Sequence, residues 1–332
     1  MSYLYVVEHG AVIGISGGYF VVTYKDGMIQ KIPKETLESI SLFGNVSLTT
    51  PCIETCLKQG IHVNFFSKRG AYYGCLESTR HTNIFRTKEQ LKLTNDLCFP
   101  LEISKKFIQA KIHNQRIVLN RYYKSENKDI ANCLKNIKIS ENKILACESS
   151  EELMGHEGFA SRNYFEGLSK LVSKDFEFYG RNRMPPKDPF NSMISLGYTI
   201  LMYEIYGQIE SHGLNPYAGF LHTDKERHPT LASDLMEEWR AVIVDSTVMS
   251  LIQGNEISVD DFEYQEQGVF LKDVALKIFI RKMGKKMLTD TKYLVYLEER
   301  SSFRRALWHQ VGRLVKCIEK RDADLYEPVW IR

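Results

Sequence analysis

Over roughly the first 80 residues the apolar positions fall in short runs separated by turn signals. Runs at 3–8, 11–16, 19–24 and 28–32 are divided by Gly17-Gly18 and Asp26-Gly27, pairs that supply the positive φ a tight hairpin turn needs at its centre. Runs at 37–43 and 46–48 continue the strand pattern. Thr50-Pro51 then offers an N-cap and a first-turn proline for a short helix that stops at Gly60. Two further runs, 61–66 and 72–77, complete a small antiparallel β-sandwich, expected over residues 1–86. From about Thr87 the period changes to that of a helix, with long segments at 101–123, 151–172, 191–212, 231–245, 270–288 and 300–320. Residues 87–332 therefore read as one larger all-α domain, and the fold class as α+β. Polar stretches at 124–128 and 180–188, the second with Pro185-Pro186, read as exposed loops.

Composition changes this picture little. A chain of 332 residues exceeds the usual size of one core, in keeping with two domains. With 43% hydrophobic and 26% charged residues it is an ordinary globular chain, which excludes a mainly disordered protein. The formal net charge is only +3, but its distribution is uneven. Residues 101–148 carry ten Lys or Arg against five acids, and residues 270–332 fifteen against eight. Basic character concentrates in the second half, as a nucleic-acid partner requires. Seven scattered cysteines without a CxxC spacing read as reduced thiols. No basic-apolar leader opens the chain and no 18-residue apolar run occurs, so a cytoplasmic protein with no membrane partner is expected.

Three short segments hold candidate chemistry. Leu153, Glu157, Ala160, Tyr164, Leu168 and Leu171 recur in steps of three and four, which sets Glu157 in the inward seam of a helix. An ionised carboxylate there needs a cation or hydrogen-bond donors to offset its burial. His156, its neighbour, faces another side and is not assigned to a metal. His222 follows Gly213-Leu214-Asn215-Pro216, a helix stop and turn that would hold the imidazole on a structured connection. Asp234 and Glu237 stand three residues apart on one helix face, whereas Glu238 points about 100° away. Each has a bland reading: a helix-start glutamate facing solvent or paired to Arg162, a hydrogen-bonded structural histidine, an acidic first turn opposing the helix dipole. Jointly they describe a site of several carboxylates and one imidazole, which suits Mg²⁺ or Mn²⁺ better than zinc and points to phosphodiester chemistry.

At these residues the chain resembles the CRISPR-associated nuclease-integrase of spacer acquisition, the "Cas one" family. The run from Leu153 to Phe165 resembles its Gly-x-Glu-Gly helix. Asp188-Pro189-Phe190-Asn191 with Gly197-Tyr198 resembles the start of its central helix, Gly213 to His222 its histidine loop, and Asp234 to Arg240 its acidic helix. The terminal Tyr326-Glu327-Pro328-Val329-Trp330-Ile331-Arg332 is also similar, with no chemistry to assign. The resemblance spans essentially the whole chain. It implies that Glu157, His222 and Glu237 are metal ligands, with Asp234 a supporting carboxylate at the catalytic centre. Many members have aspartate where this chain has Glu237, and the choice of Glu237 over Glu238 rests on the motif. Arg162 and Arg240 match family positions and would orient carboxylates or contact phosphate. The implied activity is metal-dependent joining of the 3′-hydroxyl of a captured DNA fragment to a CRISPR repeat, with nicking of branched DNA at the same centre. Implied partners are DNA, a second copy of the chain through the β domain, and a small ferredoxin-like companion protein.

Lys277, Arg281 and Lys285 fall at steps of four, with Lys282 and Lys286 one residue further round, and form a cationic stripe. Arg300, Arg304, Arg305, Arg313, Lys316 and Lys320 extend it along the next helix, and Lys105, Lys106, Arg181 and Arg183 are further candidates. Such side chains bind phosphates without reading sequence. Two other readings stand beside the nuclease-integrase: a non-catalytic nucleic-acid scaffold, and an unrelated metal-dependent phosphoesterase.

Overall fold

The computed structural model describes residues 2–123 and 127–332. Of the polar stretch at 124–128, residues 124–126 lie outside the described residues. The chain forms two compact units, one ending at Asn83 and the other spanning Ile84–Arg332.

In the first unit, strands β1 (Ser2–Val6), β2 (Val12–Ser16), β3 (Tyr19–Thr23), β4 (Ile29–Pro33), β5 (Leu37–Phe43) and β6 (Ser47–Leu48) precede helix α1 (Thr50–Gln59). Strands β7 (His62–Phe66) and β8 (Tyr72–Leu76) follow. Gly60 ends α1 at φ +72°, a left-handed conformation that a side chain disfavours. The strands make two four-stranded sheets, β4-β3-β2-β6 and β1-β5-β7-β8. One core joins both to α1: Val6, Ile40 and Val63 from one sheet, Ile13, Phe20 and Val22 from the other, Cys52 and Cys56 from the helix. The sandwich is present, but it is mixed rather than antiparallel. Strand β5 pairs in parallel with β1 and with β7, and β2 pairs in parallel with β6. The hairpins β2-β3 and β3-β4 are antiparallel as their turns require. Strands β5 and β7 are joined through β6 and α1, and a crossover of that kind brings the chain back in the same direction.

The second unit contains α2 (Ile84–Leu93), α3 (Phe99–Tyr122), α4 (Lys128–Lys143), α5 (Ser150–Ser169), α6 (Pro189–Ser211), α7 (Thr230–Met236) and α8 (Ser246–Gln253). A hairpin of β9 (Phe262–Gln265) and β10 (Gly268–Leu271), helix α9 (Asp273–Met287), the short pair β11 (Asp290–Thr291) and β12 (Ser301–Ser302), and α10 (Phe303–Lys320) complete it. It is therefore helical with two small hairpins, not all-α. Val269-Phe270-Leu271 is a short apolar run that fits either period, and pairing with β9 makes it a strand, so α9 begins only at Asp273. The helix expected over 231–245 is also interrupted. After α7 comes a turn at Glu237, Glu238 and Trp239, then a π-helical turn, Arg240–Asp245. Such wide turns re-aim the side chains that follow.

Local signals set where the site-bearing helices begin. Ser149 accepts the Glu152 N–H at 3.2 Å to start α5, and Asp188 accepts the Asn191 N–H at 2.7 Å to start α6 with Pro189 in its first turn. Helix α3 packs against α4, α5, α7 and the π turn. The seven cysteines are free thiols. Among the described residues no helix is long and apolar enough to cross a membrane.

Ile40 is fully buried in β5 between two parallel partners. Ile40→Ala is expected to destabilise the β unit by about 2–5 kcal/mol, read as a lowered midpoint in urea. A midpoint unchanged within error contradicts this placement of the core.

Candidate metal centre

Three segments bring four candidate side chains into one linked group, in which Lys111 joins Glu157 to the rest. Helix α5 presents Glu157, the connection after α6 presents His222, and α7 with its following turn presents Asp234 and Glu237. His222 Nδ1 lies 2.7 Å from Asp234 Oδ1, and His222 Nε2 lies 3.8 Å from Glu237 Oε1. Asp234 is completely buried and fully engaged. Its Oδ2 accepts the N–H groups of Phe220 at 2.7 Å and Leu221 at 3.0 Å, and its Oδ1 also accepts the His222 N–H at 3.2 Å. Asp234 thus ties the histidine loop to α7 and accepts a hydrogen bond from the Nδ1–H of neutral His222, which leaves the Nε2 lone pair on the Glu237 side. A Cβ on Gly219 would come within 2.7 Å of Asp234 Oδ2 and 2.5 Å of Thr230, so the close approach of the loop excludes any side chain there.

The carboxylates are matched by cations. Lys111 on α3 donates to Glu157 Oε1 and lies 2.6 Å from Glu237 Oε2, and Ser161 donates to Glu157 Oε1 at 2.8 Å. The second Lys111 contact is a short ion pair that helps keep Glu237 ionised. Arg240 lies 3.0 Å from Glu237 Oε1, with its guanidinium 5.0 Å from the centre of the Tyr198 ring. Burial by itself would push the Glu237 carboxyl up. The charges of Arg240, Lys111 and His222 outweigh it and hold the group down at about 2. Burial also opposes ionisation of Glu157, and Lys111 reverses it, so that its pKa is lowered too. For His222, burial lowers the pKa, but the Asp234 hydrogen bond and the Glu237 and Asp234 charges prevail and the net shift is upward.

Glu238 goes elsewhere. It is completely buried, accepts from Tyr326 Oη, from the Val329 N–H at 2.8 Å and from Gln310 Nε2 at 3.3 Å, and burial raises its pKa to about 8. Asn114 on α3 donates to the carbonyls of Glu238 and Val329 and accepts the Ile331 N–H. The terminal segment, to which the sequence assigned no chemistry, therefore braces the acidic turn from behind.

A half-buried imidazole and the carboxylates of Glu157, Asp234 and Glu237 are donor types that a hard divalent ion takes, with Lys111 standing between Glu157 and Glu237. Among the described residues the group whose three ligand atoms all lie within 4.8 Å of one another is a different one, Cys147, Glu152 and His156, and it includes the histidine that the sequence did not assign to a metal. Glu152 there already accepts the Glu148 N–H at 3.0 Å at the start of α5.

The family model for the CRISPR associated protein Cas1 matches residues 4–285. The chain belongs to this family. It is 36% identical over 321 residues to the "CRISPR-associated endonuclease Cas1" of Mycobacterium tuberculosis (strain CDC 1551 / Oshkosh), covering 96% of this chain and 94% of that one. It is 31% identical over 332 residues to the "CRISPR-associated endonuclease Cas1 3" of Thermus thermophilus, covering 99% and 97%. Among solved structures, a chain of a "Cas6-RT-Cas1--Cas2 complex" matches with a TM-score of 0.85 at 26% identity, over 99% of this chain and 36% of that chain.

The remaining positions expected from the sequence separate into two kinds. On the Gly-x-Glu-Gly helix, Arg162 is exposed and, among the described residues, pairs with no carboxylate, so it does not orient Glu157. Gly155 and Gly158 share its side of α5, and a Cβ on either would meet nothing within 4 Å, so no contact within the chain requires glycine there. On α9, Arg281 and Lys285 are exposed and Lys277 is half-buried. Lys282 pairs with Glu256, and burial lowers the Lys286 pKa to about 8 beside the Phe303 ring. Arg304 is a correction. It is 4% exposed and pairs with buried Glu204 at 3.1 and 3.3 Å, so it is an internal ion pair and not a DNA contact. Arg313 pairs with Glu327, Lys105 with Glu102, and Arg181 with Asn191 over the Phe165 and Tyr198 rings.

Sequence reasoning missed Lys111 and Asp245. Asp245 accepts from Tyr164 Oη at 2.9 Å and Tyr198 Oη at 2.8 Å, and burial raises its pKa to about 6. Both carried a signal. Lys111 continues the inward steps of four from Ile103 and Phe107, and Asp245 closes the apolar run Val242-Ile243-Val244.

The Glu238 carboxyl keeps its proton in the folded protein up to about pH 8 and in the unfolded chain only to about pH 4.3. Its contribution to stability is therefore present at low pH and lost as pH rises between those values. Glu238→Gln, which cannot ionise, is expected to flatten the fall in urea midpoint between pH 6 and 8. An unchanged slope would count against the buried, protonated state.

Proposed function

We propose that this chain is a divalent-metal-dependent DNA endonuclease and integrase of CRISPR adaptation. The observation that carries the reading is the contact of His222 with Asp234 and Glu237 and the bridge that Lys111 makes from Glu237 to Glu157, with Asp234 fixing the imidazole so that its free nitrogen faces Glu237. Glu157, His222 and Glu237 would hold Mg²⁺ or Mn²⁺. Such an ion lowers the pKa of an attacking hydroxyl or water and stabilises charge on the phosphate. Asp234 is a positioning residue, and Arg240 keeps Glu237 ionised. The names of the relatives, endonucleases at up to 36% identity over nearly the whole chain, support this reading over a non-catalytic scaffold, as does the complete set of candidate ligands. They also disfavour an unrelated phosphoesterase.

In the joining step the 3′-hydroxyl oxygen of a captured fragment forms a new P–O bond at the edge of the repeat. The repeat's own P–O bond breaks and leaves a hydroxyl, so the number of phosphodiesters is unchanged and no external energy source is required. The exposed cations Arg162, Arg281 and Lys285, with Lys277, would hold the DNA backbone, and affinity should fall steeply with salt. A homodimer through the β unit, a small ferredoxin-like companion and a cytoplasmic setting belong to the same proposal. The solved match titled as a Cas6-RT-Cas1--Cas2 complex favours assembly with a companion.

Purified protein with Mn²⁺ is expected to nick or join branched DNA. Glu157→Ala and His222→Ala should each lower this by about a hundredfold or more with the circular dichroism spectrum unchanged. Joining at the full rate by either variant would overturn the ligand set.

Because the His222 pKa is raised, the imidazole gives up its proton only above the pH at which a free one does. Mn²⁺ affinity should therefore climb with pH through that raised value and then level off. Asp234→Asn weakens the upward push and should move the midpoint to lower pH, read by calorimetric titration. A midpoint that moves the other way contradicts the role of Asp234.

A further inference from the structure

Lys111 has no part in the proposed reaction as described, yet it is the best-placed cation in the centre. It stands on α3, where Ile108 and Ile112 are also buried, and its own side chain is only 7% exposed. Its ammonium reaches both outer candidate ligands, Glu157 Oε1 and Glu237 Oε2, and so bridges α5 to the acidic turn. Two consequences follow from charge alone. First, Glu157 and Glu237 pair with two cations, Lys111 and Arg240, while Asp234 is met by backbone N–H groups and His222, so with His222 neutral the three carboxylates and two cations sum to a formal charge of −3 + 2 = −1. The group is nearly matched from within. Second, a divalent ion against the same oxygens makes that charge −1 + 2 = +1. It also sets the ion against an ammonium whose side chain is only 7% exposed and so is held away from water. An anion from outside restores the match, and a DNA phosphate is such an anion.

We propose that Lys111 couples metal binding to DNA binding: its ammonium is the resident counter-ion of Glu157 and Glu237, it opposes a divalent ion when DNA is absent, and a DNA phosphate becomes its new partner when ion and DNA bind together. This rests on the metal-centre reading above. Coupling of this kind is reciprocal, so Mn²⁺ tightens DNA binding by the same factor that DNA tightens Mn²⁺ binding. It also restrains metal chemistry until a phosphate is in place.

The test is Mn²⁺ binding to the full chain, followed by the electron paramagnetic resonance signal of free Mn²⁺, with and without branched DNA whose 3′ ends are dideoxy. For the wild type, DNA should raise Mn²⁺ affinity by about tenfold or more. Lys111→Met should bind Mn²⁺ about tenfold more tightly without DNA and lose most of the gain on adding it. Lys111→Met with wild-type affinity, or with the full wild-type coupling, overturns the inference. If Lys111→Met fails to fold in a chelator, circular dichroism over graded Mn²⁺ reads the same competition. Recovery of the fold by Mn²⁺ supports the inference, and a fold that Mn²⁺ does not recover overturns it. Glu157→Ala separates the two levels. Mn²⁺ binding that ignores Glu157 removes the metal centre itself, whereas binding that needs Glu157 but is indifferent to Lys111 removes only the coupling.

Discussion

A carboxylate taken out of water must be met by donors or by cations, and the helical unit has to meet that requirement many times within one core. Each acid is matched in its own way. Asp234 is matched by three backbone N–H groups and an imidazole, Glu237 by Arg240 and Lys111, Glu157 by Lys111 and Ser161. Glu238 keeps a proton and takes donors from the terminal segment, Asp245 sits between two tyrosine hydroxyls, and Glu204 pairs with Arg304. The arrangement of helices follows from these pairings as much as from apolar packing. Helix α3 is central because Lys111 and Asn114 on one of its faces satisfy the acidic turn and the chain terminus together.

The same requirement separates residues that are adjacent in sequence. Glu237 and Glu238 differ by one position on a helical path, and that rotation sends one carboxylate among cations and the other into an uncharged pocket. Their pKa values accordingly part to about 2 and about 8. One is held ionised by its cationic neighbours. The other is a neutral brace. The π turn that follows aims Arg240 back at Glu237 and Asp245 at Tyr164 and Tyr198.

Much of the architecture was legible because short-range physics set it. Gly17-Gly18, Asp26-Gly27, Thr50-Pro51 and Gly60 marked turns and a helix through backbone preferences that do not depend on distant contacts. Steps of three and four placed Glu157 inward, and the three-residue spacing placed Asp234 and Glu237 together. Pairing direction in the β unit was not legible, since an apolar run reads the same in a parallel or an antiparallel ladder. Arg304 misled for a related reason: a cation in a basic run looks exposed until the helix that supplies Glu204 is in place.

The sequence by itself determined most turns of the β unit, most of the long helices, the inward position of Glu157, the shared face of Asp234 and Glu237, and that the second half carries a surplus of cations, because all of these follow from local periodicity and composition. Only the tertiary structure decided which inward groups meet. It joined His222 to Asp234 across a loop, set Lys111 between Glu157 and Glu237 from a helix more than forty residues upstream of Glu157, and gave Glu238 to the terminal segment. Such meetings depend on how buried charge is matched over the whole core, and that matching has no period along the chain.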